Sequence, residues 1–236
     1  QARGHGVEAM ELWKSVPPTA PRWLSARLAA CDAALESLEA QVATEEREGL
    51  DARFAEASSF VEESLQAARD RPDSDRAELL LRKAQLNLLP HVGEAGKARA
   101  AAEQCLALTL TPSQRYRARL AKLVALSMLG RYVDAEREAQ LHPTWAVPAD
   151  REALLQAVRG LDLAAAAAEA DLPQRRYGQV VRVLVQPVLG DDALPDDLRS
   201  KLTIRLARAQ LFQSDVPSAR TTLQNWTPSV RSTDDR

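Results

Sequence analysis

The stretch LSMLGRYVDA, residues 126–135, sets a helix end, the small turn residue Gly130 and, five positions on, Ala135 in direct succession. The turn residue lets two helices fold back on each other, and the alanine lets their backbones approach closely. The same order recurs in LNLLPHVGEAGKA, residues 86–98, with Gly93 and Ala98, and in QLFQSDVPSA, residues 210–219, with Ser214 and Ala219. A fourth helix–turn–helix is expected at Arg175-Arg176-Tyr177-Gly178-Gln179-Val180, where the alanine is changed. Residues 4–9, continued by Trp13 and closed by Pro17, fit the turn and second helix of a fifth.

Working outward, the whole chain is punctuated in this way. Prolines and glycines from Pro17 to Pro228 separate segments rich in alanine, leucine, arginine and glutamate, and about eleven helices follow. With 236 residues, 45% hydrophobic, only 4% aromatic and nine glycines, the chain reads as an all-α globular protein rather than a β-sandwich or barrel. Leu24, Leu28, Cys31, Leu35, Leu38 and Val42 alternate in steps of four and three and define one apolar seam. Leu50, Phe54, Ala57, Val61 and Leu65 nearly repeat the spacing after Gly49, so residues 21–72 are expected to form a long antiparallel helical hairpin. Two seams facing each other favour a monomer, with dimerisation or docking through the hairpin as the other reading.

The recurrent turn resembles the tetratricopeptide repeat family, whose unit is roughly 34 residues of helix, turn and helix. The fullest match is residues 119–148, where Gly130, Tyr132 and Ala135 stand at the family's turn glycine, aromatic and small positions, while Leu123 and Ala139 depart from its pattern. The resemblance implies a right-handed solenoid of antiparallel helix pairs: about four divergent units over residues 73–227, the second half of a truncated repeat over 1–20, and a polar tail over 228–236. A start in mid-repeat implies further repeats before Gln1.

Chemistry is sparse. His5, His91 and His142 each lie beside an expected turn, with no metal-ligand spacing, and no phosphate-cradling glycine motif occurs. Cys31 and Cys105 sit in alanine- and leucine-rich helices and read as buried free thiols. Asp191-Asp192 and Asp196-Asp197 flank a glycine turn and Pro195 and read as helix starts. No enzyme activity, metal or cofactor is expected. A net charge of −2 gives no electrostatic case for nucleic acid, and no apolar run reaches the roughly 18 residues of a membrane span. Charge is uneven, near −5 over residues 1–110 and +3 over 111–236, so the second part suits an acidic peptide. The arginine- and alanine-rich usage reads as the coding bias of a GC-rich bacterium, and free thiols place the cytoplasm ahead of the periplasm.

The resemblance further implies a concave inner face, for which Lys83, Asn87, Arg117, Leu120, Val124, Lys201, Ile204, Arg205 and Arg208 are the candidates. Lys83/Asn87 and Lys201/Arg205 look like the paired positions with which one subclass of the family holds a partner's C-terminal carboxylate, although an extra repeat intervenes and Ala121 replaces the middle asparagine. The expected function is a non-enzymatic scaffold that binds a peptide or protein segment. The alternative is a helical accessory or sensor region of a larger enzyme or regulator.

Overall fold

The computed structural model describes residues 16–44, 48–89, 91–141, 151–167, 171–190 and 194–225, and among these it holds ten α-helices and no strand, as the composition led us to expect. Most of the expected half-repeat at 1–20, His5, His142, Asp191-Asp192 and the tail at 228–236 lie outside the described residues. The chain divides into two compact units, residues 1–125 and 126–236.

In the first unit, α1 (Trp23–Ala43) and α2 (Leu50–Ala67) pack together, and α3 (Asp73–Asn87) packs on both. The first two are antiparallel. At one end Gln41 Nε2 donates to the Glu48 carbonyl at 2.8 Å, while toward the other the Arg27 guanidinium carbon lies 4.8 Å from the Phe60 ring centroid. Gly49 makes the turn at φ +71°, which glycine adopts without steric cost. The core between them is Ala30, Cys31, Ala34 and Leu38 against Leu50, Ala57, Phe60 and Val61.

The seam of α1 differs from the expected one. Its buried positions are Trp23, Ala26, Arg27, Ala30, Cys31, Ala34, Leu38 and Gln41, while Leu24, Leu28, Leu35 and Val42 are half-buried along the flanks. The physical reason is that α1 must also face α3. Ala26, Ala30 and Ala34 recur every four residues, and such a small-residue row lets neighbouring backbones come close while leucines fill the edges. α4 (Ala95–Leu106) returns along α3, with Ala101 and Ala102 against Ala84, and α5 (Pro112–Met128) adds Ala118 and Ala121 to the same interior.

The second unit holds α6 (Tyr132–Gln140), α7 (Arg151–Ala167), α8 (Asp171–Leu189), α9 (Asp196–Phe212) and α10 (Val216–Gln224). Here α8 packs on α6, α7 and α9, while α9 also packs on α7 and α10. Leu154, Val158, Leu161, Leu184 and Leu202 are almost completely buried, each stabilising the unit by about 2 kcal/mol relative to exposure. Asp196 and Asp197 occupy the first turn of α9, where the positive end of the helix dipole favours them.

Two of the expected turns share one geometry. Gly130 has φ +72°, its N–H donates to Ser127 O at 3.0 Å, and the Arg131 N–H donates to Leu126 O at 2.9 Å. Ser214 has φ +61°, its N–H donates to Leu211 O at 2.9 Å, and the Asp215 N–H reaches Gln210 O at 2.9 Å. Both are Schellman closures, in which a left-handed residue lets the next amides cap the last carbonyls of the helix. At the turn after α3, however, the left-handed residue is His91 at φ +71°, not Gly93. Gly93 serves close approach instead, since a Cβ there would sit 2.5 Å from the Asn87 carbonyl oxygen. The associated alanines, Ala98, Ala135 and Ala219, are all buried.

The turn expected at residues 175–180 does not occur, because those residues lie inside the continuous helix α8. Gly178 is instead a helix-contact residue: a Cβ there would meet the Ala209 carbonyl oxygen of α9 at 2.6 Å. Tyr177 beside it packs edge-on against Tyr132, with ring centroids 5.3 Å apart and an interplanar angle of 81°. Gln179 completes the junction, donating to Glu136 Oε1 and accepting from Gln213 Nε2, each at 3.0 Å.

Candidate functional site

α9 uses three sides to reach α7, α8 and α10, burying Leu198, Leu202, Leu206, Ala207 and Ala209. Its remaining face carries Asp197, Lys201, Ile204, Arg208 and Leu211, all exposed, at alternating steps of four and three. Ile204 is 49% exposed and Leu211 52%, large values for branched aliphatics that could be buried at a helix junction. Lys201 Nζ lies 3.6 Å from Asp197 Oδ2, a solvent-exposed pair of small energetic value. The Arg208 guanidinium carbon stands 5.4 Å from the Phe212 ring centroid, so the ring steadies the cation while leaving it at the surface.

Arg205 plays a different part. It flanks this face, and its Nη1 donates to Asp162 Oδ2 of α7 at 2.6 Å, where the Asp162 side chain is only 2% exposed. Burial raises the Asp162 pKa, opposed by the Arg205 hydrogen bond and by the charges of Arg205 and Arg208. Arg205 is thus a neutralising partner for an interior carboxylate first and a surface cation second.

The first-unit candidates are also engaged internally. Lys83 Nζ lies 2.5 Å from Glu62 Oε1, and the Asn87 amide, buried, donates to the Lys83 carbonyl at 2.9 Å. That amide therefore faces its own helix rather than a ligand. Arg117 pairs with Glu78, which also pairs with Arg82, and Arg82 in turn reaches both Asp32 oxygens at 2.9 and 3.1 Å. Gln114 Nε2 donates to Glu78 Oε1 at 3.1 Å and to Ser74 O at 2.9 Å, so the network ties α1, α3 and α5. Burial would raise the Glu78 pKa, but the Gln114 hydrogen bond and the Arg117 and Arg82 charges outweigh it and hold the carboxyl below its ordinary range. Leu120 and Val124, expected on an accessible inner face, are buried at 2% and 3%. They are core residues because α5 presents that side to the interior.

The structure thus brings Lys201, Ile204 and Arg208 onto one exposed face, with Arg205 at its edge, and assigns Asn87 and Arg117 to internal bonding. Sequence reasoning missed Leu211, which lies seven residues after Ile204 on the same face, and the Glu78–Arg82–Asp32 network, whose Glu78/Arg82 spacing of four was visible. It also passed over Asp162, although a carboxylate in an apolar stretch calls for a buried cation.

Neither thiol is activated. Burial first, with Asp32 adding to it, pushes Cys31 up to about 12, and burial with Glu78 does the same for Cys105. Among the described residues no three His, Cys, Asp or Glu side chains converge as metal ligands, and no helix is long and apolar enough to cross a membrane. Comparison of the chain with protein-family models, curated proteins and solved structures finds no match.

Proposed function

We propose that this chain is a non-enzymatic scaffold whose helix pairs stack in a right-handed, tetratricopeptide-like solenoid and bind a peptide or protein segment on the inner face. The observation that carries the reading is the solvent-exposed side of α9, where Lys201, Ile204 and Arg208 stand open while the rest of the helix packs on its neighbours. Packing between neighbours in the chain and the repeated Schellman turns support the solenoid. Binding would rest on shape complementarity with a few cationic contacts, and the partner class is protein rather than nucleic acid.

The test is quantitative affinity capture from the source organism's lysate by the full chain and by Lys201→Glu/Arg208→Glu. Arg205 stays in place because its loss would strand Asp162. Proteins captured by the parent and lost from the double variant support the reading. Equal capture by both forms overturns it for this face.

A further inference from the structure

Resting on that reading, we propose that the exposed face of α9 docks an acidic amphipathic helix of a partner protein. Ile204 and Leu211 are one heptad apart, and Lys201 and Arg208 precede them by three residues each, so apolar and cationic side chains alternate at the spacing that a second helix meets along a seam. A partner helix with two apolar residues a heptad apart, each flanked by glutamate or aspartate, satisfies both kinds of position at once.

A second copy of this chain fits less well. An antiparallel copy of α9 centred on Ile204 sets Lys201 against Arg208, bringing like charges together at both ends of the apolar contact. Asp197 lies one turn away in the first turn of the helix and offsets only Lys201, at 3.6 Å. Arg205, at the edge of the face, is itself a cation paired with Asp162 and supplies no negative charge against the repulsion. The net positive face therefore selects an acidic partner, and the apolar pair selects one that is helical.

The experiment is fluorescence anisotropy with the full chain and a labelled alanine-based peptide of about 18 residues, long enough to hold helix, with leucines a heptad apart and glutamates flanking them. A scrambled peptide of identical composition is the control. The expected result is binding of the patterned peptide alone, weakened at least about tenfold by Lys201→Glu/Arg208→Glu and by Ile204→Asp/Leu211→Asp, and unchanged by Lys83→Glu. Melting of each variant at the parent temperature establishes that these surface changes leave the fold intact. Equal binding of both peptides overturns the helical inference while leaving peptide binding in place. Loss in Lys83→Glu but not in the α9 variants moves the site and overturns the inference alone. No binding of either peptide overturns it too, and the lysate capture then decides separately whether any partner exists. A doubled mass in light scattering that Ile204→Asp abolishes would make a second copy the occupant and likewise overturn it.

Discussion

Arg205 Nη1 of α9 lies 2.6 Å from Asp162 Oδ2 of α7, the one joining a face open to solvent and the other set in the interior of the second unit. Removing the cation leaves a carboxylate desolvated and unpaired, whereas removing both charges leaves a neutral contact. Arg205→Met should therefore cost about 3 kcal/mol in urea unfolding, and Asp162→Asn/Arg205→Met should recover most of that loss. Equal destabilisation of single and double variants would show that the pair is not coupled.

The approach of α8 to α9 depends on position 178. An alanine Cβ there would sit 2.6 Å from the Ala209 carbonyl oxygen, a backbone atom that cannot swing aside, so the helices must separate. Gly178→Ala is expected to destabilise by about 1–3 kcal/mol despite alanine's better helix propensity. Thermal unfolding followed by circular dichroism reads the change, and a melting temperature at or above the parent's would contradict the close contact.

Ser214 holds a left-handed conformation at φ +61° that glycine adopts more easily. Ser214→Gly should raise stability by about 0.5–1 kcal/mol, while Gly130→Ala, at φ +72°, should lower it by about 1 kcal/mol. The opposite signs at two turns with the same hydrogen bonds make the pair a direct check by urea denaturation.

Acid should loosen the first unit through Glu78. Its folded pKa lies below the ordinary value of 4.5, so its stabilising contribution is fully present above pH 4.5 and is lost as the pH falls through the depressed folded value. Asp162 has the opposite sign: its folded pKa is raised, so protonation relieves the second unit as acidity increases. Denaturation of the parent and of Glu78→Gln across the acid range should show a shallower loss of stability in the variant. Parallel pH curves would remove Glu78 as a contributor.

Local patterns carried much of this architecture. Gly130 with Ala135 and Ser214 with Ala219 mark real turns because a left-handed residue and a buried alanine are both local requirements. Gly178 misled because glycine serves a tight turn and a close helix contact equally well, and only Ala209 on another helix distinguishes them. The α1 seam shifted toward Ala26, Ala30 and Ala34 for a similar reason: one periodicity cannot reveal that a helix has two neighbours. Among the site residues, Lys201 and Arg208 were legible as cations on one face. The engagement of Arg205, Asn87 and Arg117 was not, since their partners are set by packing and, in part, by distant segments.

The measurement that bears most directly on the α9 face is hydrogen exchange of the full chain with and without the patterned acidic peptide at saturating concentration. The expected result is slowed exchange concentrated in residues 197–212 and none in the hairpin of α1 and α2. Unchanged exchange in α9, or protection centred on the hairpin, would contradict the assignment of the binding face.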